Sequence, residues 1–527
     1  MQWDTPFFGC SMSLAVLHSR TLVGIQTIPV RVEAFLSSGL PAFHIVGLPD
    51  SEVRESRERV RGALICSGFA FPAGRLTVNL SPADIPKETG RLDLAIALGI
   101  LLASGQLCVP EDGYPVAGDI GHLPRLKDCI FLGELSLSGA LMSCRGALPI
   151  AVNIVRQSPD AHVFMPYASA LQASCVSHLC IYGARTLKEV TDHLCGNKLV
   201  HRATKPFSAP THSQALHPCM SEVKGQSSAK LALEVAAAGG HSLLMQGSPG
   251  VGKTMLANRL PGILPALSDE ECLDVMMVQS FQHQDLDVVC RPFRTPHHSS
   301  SVAALIGGGK QITLGEVSLA HKGILFLDEL PEFSRQALES LREPIENGTV
   351  QIARAAYRAE LPAEFQFVAA MNPCPCGWYG HPDDRCRCSS ESVQRYLGKL
   401  SGPLLDRIDM VVRLYPQVDE VCFADIDEEP SKLILSRVVK ARQRQHSRQR
   451  CLNARIPDAR MPMHCKLTPQ AQSRFNQVRQ AFGLSHRSES RMIRLARTLA
   501  DLADEEHLTE SSIAQAVQLR QEVKKPV

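Results

Sequence analysis

Residues 243–254 read LLMQGSPGVGKT, an apolar stretch that runs into a glycine-rich turn ending in Lys253 and Thr254. This spelling matches the phosphate-loop pattern, in which a buried strand, a tight loop and a helix follow one another. The residues expected to surround the phosphates are consecutive: Gly247, Ser248, Pro249, Gly250, Val251, Gly252, Lys253 and Thr254. In such a loop the backbone N–H groups bind phosphate oxygens, the lysine reaches the β- and γ-phosphates, and the threonine ligates Mg²⁺. A plain glycine-rich turn would need neither the strand nor the helix, so the stretch predicts a nucleoside-triphosphate site.

Two acids follow a second buried strand later in the chain. Residues 323–330 read GILFLDEL, an apolar run that ends in Asp328 and Glu329. Hydrolysis needs a carboxylate that holds Mg²⁺ through water and a second one that polarises the attacking water. Acids at the end of a strand also occur by chance, but here they follow the phosphate loop in the order that hydrolysis requires. We therefore assign Mg²⁺ binding to Asp328 and Thr254, and water activation to Glu329.

Three further polar residues occupy positions that resemble those of AAA+ ATPases. The strand-like run EFQFVAAMNP ends at Asn372, where that class places a sensor of the lytic water. Arg407 in SGPLLDRIDMVV resembles the arginine finger, which acts on ATP held by a neighbouring subunit. Arg491, in a predicted helix over 485–503, is the candidate second sensor near the γ-phosphate, in competition with three neighbours: Arg487, Arg494 and Arg497. Either arginine could instead form a surface salt bridge.

Four cysteines lie just after the sensor strand, in the pattern C-x-C, nine residues, C-x-C. They are Cys374, Cys376, Cys386 and Cys388. Clustered thiolates in a reducing compartment suit a structural zinc site with four protein ligands, which leaves no open position for catalysis. The spacing departs from the usual C-x₂-C, His381 is an alternative ligand, and a loop of free thiols is the competing interpretation.

Two insertions interrupt the ATPase pattern, at 293–323 and at 347–365, and the second is predicted to be a hairpin. Both resemble inserts of the AAA+ branch that contains magnesium-chelatase motors and MCM helicases, where they project toward the channel of a hexamer. Lys310, Arg354 and Arg358 are therefore candidates for gripping a DNA backbone. We expect His297 and His298 to shape the loop or face the pore rather than bind metal, because no third ligand lies at a recognised spacing.

The basic helix predicted from residue 431 is interpreted as a solvated face, with nucleic-acid contact as the alternative.

Bulk composition describes an ordinary soluble chain of about three domains. Its 527 residues are 44% hydrophobic and carry a net charge of +2, so any basic surface must be local. No apolar run approaches the roughly 20 residues that span a bilayer, and we see no export signal. We therefore expect a cytoplasmic protein in which most of the 18 cysteines are buried thiols and some are metal ligands.

The pattern of elements predicts an α/β protein with five segments. Residues 1–11 form an extension before a possible start at Met12; 12–195 an α/β domain; 196–222 a linker; 223–418 a P-loop ATPase core with a parallel sheet; and 419–527 a helical lid. Residues 86–99 and 131–149 resemble the Lon proteolytic domain, which has a ribosomal S5 domain 2-like fold. Arg91 and Leu148 stand where the serine and the lysine of the Lon dyad would be, so we expect no peptidase activity. Ser136 and Ser138 are predicted to be strand or turn residues.

Taken together, these segments resemble the YifB/ComM family of magnesium-chelatase-like AAA+ ATPases. The resemblance rests on HIVGLPDSEVRESRERVRGAL, NLSPADIPKETGRLDLAIALGIL, GSPGVGKTMLANRLPGILP, RPFRTPHHSSS, FLDELPEF, MNPCPCGWYG and GPLLDRID, and it extends from about Met12 to about Leu519. It implies a cytoplasmic bacterial homo-hexamer around single-stranded or branched DNA, powered by ATP and Mg²⁺ and working with recombination proteins. It further implies a helicase of branch migration that integrates incoming single-stranded DNA in natural transformation. A chelatase-type motor acting on a protein partner is the alternative, against which we count the N-terminal domain, since chelatase motors resemble only the ATPase half.

Overall fold

The computed structural model describes most of the chain in two compact units. It covers residues 13–47, 51–83, 90–109, 125–176, 179–203, 217–282, 289–308, 313–353, 358–381, 385–416 and 428–520. The first unit is built on residues up to 211 and also takes in 276–289 and 351–361. The second unit contains the remainder, so the ATPase core and the C-terminal helices belong to one unit. The predicted extension at 1–11 lies outside the described residues.

The first unit is an α/β domain on a mixed sheet. Its strands are β1 (Ser13–Val23), β2 (Gln26–Ser37), β3 (Ala42–Val46), β4 (Arg75–Ser81), β5 (Cys129–Phe131), β6 (Glu134–Leu135), β7 (Leu141–Met142), β8 (His162–Pro166) and β9 (Cys180–Ala184). Its helices are α1 (Ser51–Cys66), α2 (Asp93–Ala103), α3 (Ala147–Gln157), α4 (Tyr167–Ala173) and α5 (Leu187–Leu194). The main sheet has the order β3-β4-β2-β1-β5-β8-β9, and β6 and β7 form a separate hairpin.

Alternation of apolar and polar residues explains how this sheet is covered. In β4 every second side chain is buried, as expected for a strand with one face on the core. Helix α2 is apolar nearly all round, and all but one of its side chains are buried. In α1 the side chains of Val60 and Leu64 are buried, whereas Ile65 is 54% exposed because it lies off the apolar stripe.

The residues aligned with the Lon dyad have structural surroundings in this unit. Arg91 is buried, and its guanidinium donates a hydrogen bond to the carbonyl oxygen of Arg145 at 3.0 Å. Leu148 is buried in an apolar cluster. The hydroxyls of Ser136 and Ser138 lie 2.9 Å apart in the β6–β7 turn, which is the turn role predicted for them. These four side chains are thus accounted for by packing and turn formation.

The second unit has a five-stranded parallel sheet in the order β11-β14-β17-β10-β18. The strands from here on are β10 (Leu243–Gly247), β11 (Phe293–Arg294), β12 (Gly307–Gly308), β13 (Thr313–Leu314), β14 (Ile324–Leu327), β15 (Thr349–Ala353), β16 (Arg358–Pro362), β17 (Gln366–Met371) and β18 (Met410–Leu414). The helices as far as β18 are α6 (Ser227–Gly239), α7 (Lys253–Ala257), α8 (Asp269–Gln279), α9 (Val302–Ile306), α10 (Glu316–Leu319), α11 (Arg335–Ser340), α12 (Arg342–Asn347), α13 (Ser390–Leu397) and α14 (Gly402–Leu405). The central strands β10, β14 and β17 are buried throughout, as parallel strands covered on both faces must be.

The C-terminal region is helical, as predicted. It contains α15 (Ser431–Gln449), α16 (Met461–His464), α17 (Pro469–Phe482), α18 (His486–Leu502) and α19 (Glu510–Gln518). The basic face of α15 is used inside the fold. Arg442 donates two hydrogen bonds to the Ala237 carbonyl oxygen, and Arg448 pairs with the buried Asp501 at 2.7 Å. Burial lowers the pKa of Arg442 to about 9. These arginines therefore support the helix packing, and the solvated-face interpretation is wrong for them.

Two insertions have defined structure. β12 and β13 pair antiparallel within the first insert, and β15 and β16 form the predicted hairpin in the second. Ala359 and Leu361 of that hairpin are buried and lie against Gly24 in the β1–β2 turn. Ala359 and Leu361 therefore pack within the first unit, which the sequence did not predict. Within the described ranges no helix has both the length and the apolar character that a membrane crossing needs.

Candidate functional site: an ATP site on one sheet edge

The phosphate loop has the conformation that its glycines predict. It leaves the buried strand β10 and enters α7, with Gly250 at φ +82° and Gly252 at φ +92°. Residues that carry a side chain rarely adopt such positive φ values, so glycine is favoured at both positions. At Gly247 an added Cβ would lie 2.9 Å from the carbonyl oxygen of Leu414, because β18 passes close by. The loop is thus held against the sheet with its backbone free to surround phosphates.

Lys253 connects the loop to the predicted sensor. It is buried, and its Nζ donates hydrogen bonds to the carbonyl oxygens of Gly247 and Ser248 at 2.7 and 2.9 Å. It also donates to Asn372 Oδ1 at 3.0 Å, which joins the ends of β10 and β17. Burial lowers the pKa of Lys253, and the charges of Asp328 and Glu329 oppose this shift. The ammonium group is therefore at the place where phosphate charge would be most strongly stabilised.

The predicted magnesium ligands lie together at the same edge. Thr254 Oγ1 donates to Asp328 Oδ2 at 2.6 Å, at the point where α7 begins beside the end of β14. A hydroxyl and a carboxylate oxygen are the donor types that Mg²⁺ prefers, so this pair fits the ion. Glu329 has φ +52°, and its N–H donates to Asp328 Oδ1 at 2.9 Å. A non-glycine residue in this region is uncommon, and it marks a sharp turn of the chain directly after the strand.

His298 is a residue whose position the sequence reasoning missed. Its Nδ1 lies 3.3 Å from Glu329 Oε2, and its ring is 4.1 Å from that of His297. The topology explains the contact: β11 pairs parallel to β14, so the chain that leaves β11 reaches the same edge as Glu329. Recognising β11 as a strand beside β14 would have predicted it. The expected loop-shaping role therefore becomes a position beside the acid assigned to activate water.

The two candidate arginines lie at the opposite edge of the same sheet. Arg407 precedes β18, and its backbone carbonyl accepts a hydrogen bond from Ser242, the residue before β10. Gly247 lies five positions after Ser242 along β10, so the two residues are about 16 Å apart at roughly 3.3 Å per residue of strand. The guanidinium of Arg407 donates to the Pro403 carbonyl at 2.8 Å and pairs with Glu346. The structure therefore does not bring Arg407 to the phosphate loop of its own chain.

Arg491 lies near Arg407 rather than near its own phosphate loop, where the sequence reasoning expected it. It pairs with Asp409 Oδ1 at 3.1 Å, and Asp409 also accepts the Ser242 N–H at 3.1 Å. Although burial raises the pKa of Asp409, the hydrogen bond from His241 and the charge of Arg491 outweigh it and hold the pKa well below the usual range. The reason for the displacement is the docking of α18 at the amino-terminal edge of β10 and β18.

The three competing arginines are now distinguished by their partners. Arg494 donates to the Ile456 carbonyl and to Asp458, and the buried Arg497 donates to two backbone carbonyls, those of Glu505 and Glu506. Arg487 shares Glu346 with Arg407. Arg494 and Arg497 therefore support the helical region, whereas Arg487 belongs with the arginines at the sheet edge.

The four cysteines form a cluster directly after the sensor strand. Their sulfur atoms all lie within 4.8 Å of one another, and this is the one group of three or more potential metal ligands in the part of the chain that the structure describes. His381 is not part of that group.

The structure says little about the DNA-contact candidates. Lys310 and Arg354 lie outside the described residues, and Arg358 is described only as the backbone start of β16.

Comparison with known proteins gives family matches along most of the chain. Family models described as "Magnesium chelatase, subunit ChlI", "Subunit ChlI of Mg-chelatase" and "Magnesium chelatase, subunit ChlI C-terminal" match residues 219–421, 32–169 and 428–520. The chain is 39% identical to the uncharacterized protein YifB of Salmonella typhimurium, with 97% of each chain covered. It is 40% identical to the competence protein ComM of Haemophilus influenzae, covering 97% of this chain and 98% of that protein. A shorter match, 33% identical over 21% of this chain and 12% of the relative, is to the DNA replication licensing factor Mcm6 of Drosophila melanogaster.

Proposed function

The chain belongs to the YifB/ComM family of magnesium-chelatase-like AAA+ ATPases, and on that premise we propose that it is an ATP-driven DNA motor of branch migration. In this proposal it works as a cytoplasmic homo-hexamer with recombination proteins. It would promote integration of incoming single-stranded DNA during natural transformation. The observation that carries the proposal is the separation of the catalytic set: the phosphate-binding residues occupy one edge of the sheet and Arg407 the other.

The residues at the carboxyl edge divide the work of hydrolysis among them. Lys253 holds the β- and γ-phosphates, and Thr254 and Asp328 hold Mg²⁺. When bound, Mg²⁺ neutralises phosphate charge and orients the γ-phosphate. Glu329 accepts a proton from the attacking water, which Asn372 helps to orient from the end of β17. Lys253 contacts Asn372, Thr254 contacts Asp328, and the backbone N–H of Glu329 donates to Asp328.

The arginine edge supports assembly into a ring. Arg407 is about 16 Å from its own loop, at roughly 3.3 Å per residue of strand. No rotation of its side chain spans that distance. A closed ring brings one edge of each subunit to the opposite edge of the next, which is the heterologous contact that generates rings. We therefore propose that Arg407, with Arg491 beside it, completes the ATP site of the neighbouring subunit.

DNA as the substrate is supported by the names of two relatives, a competence protein and a DNA replication licensing factor. Lys310, Arg354 and Arg358 are the proposed contacts with the phosphate backbone. Because such contacts release counterions, DNA binding that depends on them should weaken as salt is raised.

The test is ATP turnover and strand exchange by the purified full-length chain. We expect single-stranded or branched DNA to stimulate phosphate release, and a three-stranded substrate to be resolved only when ATP is hydrolysed. Glu329→Gln should abolish both activities while ATP binding remains. The DNA assignment would be wrong if turnover were unchanged by single-stranded, duplex and branched DNA alike, and the catalytic assignment if Glu329→Gln turned over ATP normally.

A chelatase-type remodelling motor is the second candidate, favoured by the descriptions of the matched family models. One of those models covers residues 32–169, so the N-terminal domain does not argue against this function, contrary to our expectation from the sequence. Stimulation of the ATPase by a protein partner but not by DNA would favour this candidate over the DNA motor.

A further inference from the structure

The spacing of the four cysteine sulfur atoms is that of a single tetrahedral metal site. Cys374 Sγ lies 3.3 Å from Cys376 Sγ and 3.7 Å from Cys386 Sγ, and the last two are 3.6 Å apart. A Zn–S distance of about 2.3 Å places the corners of a tetrahedron about 3.8 Å apart. A disulfide would need sulfur atoms about 2.05 Å apart, so these contacts are not disulfides. Cys388 Sγ also lies within 4.8 Å of the other three, so the four thiols match the ligand shell of one ion.

Local backbone geometry shapes the loop around the first pair of cysteines. The Tyr379 N–H donates to Cys374 Sγ at 3.3 Å, and the Gly377 N–H closes a turn on the Cys374 carbonyl at 2.9 Å. Gly377 and Gly380 have φ values of +84° and +77°, which fold the chain back toward the second pair of cysteines. Among the described residues between 373 and 388 no helix or strand holds this loop.

The same loop lies directly against the phosphate loop. A Cβ added to Gly377 would lie 2.5 Å from Cδ of Pro249, so the two backbones are already in close contact. Asn372, which accepts the hydrogen bond from Lys253, stands two residues before Cys374. The cysteine loop therefore holds the sensor from one side and supports the phosphate loop from the other.

We propose that Cys374, Cys376, Cys386 and Cys388 bind one structural Zn²⁺, and that this ion fixes Asn372 and the phosphate loop in the geometry needed for ATP turnover. All four coordination positions are filled by protein, so the ion does not touch the nucleotide. The zinc site stands on the sulfur geometry alone. Its positioning role rests on the proposed ATPase function, because the contacts that transmit it are those of Lys253 and Pro249.

Metal content is the first measurement, made by elemental analysis for zinc and iron on the reduced full-length protein. We expect about one zinc per chain, and loss of that zinc in the double variant Cys386→Ser with Cys388→Ser. The matched control is Cys66→Ser, an exposed cysteine in α1, which should keep the metal. Zinc far below one equivalent, or iron in its place, would overturn the proposal.

The positioning role can be tested by removing the ion and adding it back, which avoids cysteine variants that could misfold. Trp378 lies in the loop and is one of two tryptophans in the chain, the other being Trp3, so Trp3→Phe leaves a single fluorescent reporter. We expect a chelator to change Trp378 emission and to lower ATP turnover about tenfold or more, as small misplacements of catalytic groups do. Added Zn²⁺ should restore both. If turnover and Trp378 emission survived complete loss of zinc, the positioning role would be refuted.

Gly377→Ala separates metal binding from its consequence. The added methyl group collides with Pro249, while all four cysteines remain. We expect this variant to keep about one zinc and to lose ATP turnover, with a raised KM because the phosphate loop is displaced. Normal turnover in Gly377→Ala would show that the contact between Gly377 and Pro249 does not position the phosphate loop. A protein that binds zinc and hydrolyses ATP without any response to DNA would leave this proposal standing and refute the DNA motor.

Discussion

The position of Arg407 at the edge opposite the phosphate loop predicts that two inactive variants restore each other. Lys253→Ala removes the phosphate-binding ammonium, and Arg407→Ala removes the finger. An arginine finger is worth about 10³–10⁵-fold in turnover, so either variant alone should be nearly inactive. The Arg407 side chain is 12% exposed, and its guanidinium pairs with Glu346, which is 43% exposed and also pairs with Arg487. Because Glu346 keeps a partner when Arg407 is removed, the loss should cost about 1–3 kcal/mol of stability, and a thermal melt of the variant checks that it folds.

Mixed rings have a calculable activity. An interface is active when one subunit supplies an intact Lys253 and its neighbour an intact Arg407. In a random equal mixture each condition is met about half the time, so about a quarter of the interfaces are complete in a closed ring of any size. If each complete interface turns over independently, the mixture should recover about a quarter of wild-type activity.

The assay is steady-state phosphate release by rings made from co-expressed and co-purified variants. Arg395→Ala is the matched control, because Arg395 is 77% exposed and pairs only with Glu391 on its own helix. Mixed with Lys253→Ala, this control should give about half of wild-type activity, since every finger is intact. If the Arg407→Ala mixture is no more active than its components while the control behaves as stated, then Arg407 does not act across an interface.

Two further predictions concern histidines of the second unit. His298→Ala should lower kcat about tenfold or more without raising KM for ATP, because His298 contacts Glu329, the proposed water-activating acid. A raised KM at normal kcat would contradict this role. His321 is buried, its pKa is lowered to about 4, and its Nδ1 accepts the Glu364 N–H at 3.1 Å. The folded state therefore favours the neutral ring, so the stabilisation is complete above pH about 6.5 and is lost toward pH 4. The free energy of unfolding should fall by about 2 kcal/mol between pH 7 and pH 5, and His321→Gln should flatten that slope in denaturant titrations; an unchanged slope would refute it.

The sequence predicted those parts of the site that depend on neighbouring residues. The phosphate loop and the Asp328–Glu329 pair each follow a strand, and parallel strands bring their carboxyl ends to one edge whatever the rest of the chain does. The predicted helix over 485–503 was correct to within one residue at each end, His486–Leu502, with Ser485 accepting the capping hydrogen bond. Local sequence patterns were sufficient because interactions between residues close in sequence determine these features.

Long-range packing decided the features that the sequence did not predict. Arg491 lies beside Asp409 because α18 docks at one edge of the sheet, and no periodicity within the helix specifies that edge. The arginines of α15 look like a solvated run, yet Arg442 and Arg448 are satisfied by a carbonyl of α6 and by Asp501. Their partners are more than fifty residues away in sequence. A run of arginines in the sequence shows how many charged groups need a partner, but tertiary packing decides which residues those partners are.

The charges at the two edges of the sheet agree with the proposal that the two edges meet in a ring to complete one site. At the carboxyl edge one ammonium, Lys253, faces Asp328 and Glu329, so bound ATP and Mg²⁺ would still leave excess negative charge around the γ-phosphate. At the other edge Glu346 pairs with both Arg407 and Arg487, while Asp409 pairs with Arg491, which leaves more guanidinium than carboxylate charge. Charge of opposite sign on two surfaces both stabilises their contact and selects its orientation. In the proposed ring, a phosphate brought to the arginine edge would compete with Glu346 for the guanidinium of Arg407, so formation of the interface and release of the finger from Glu346 would be the same event.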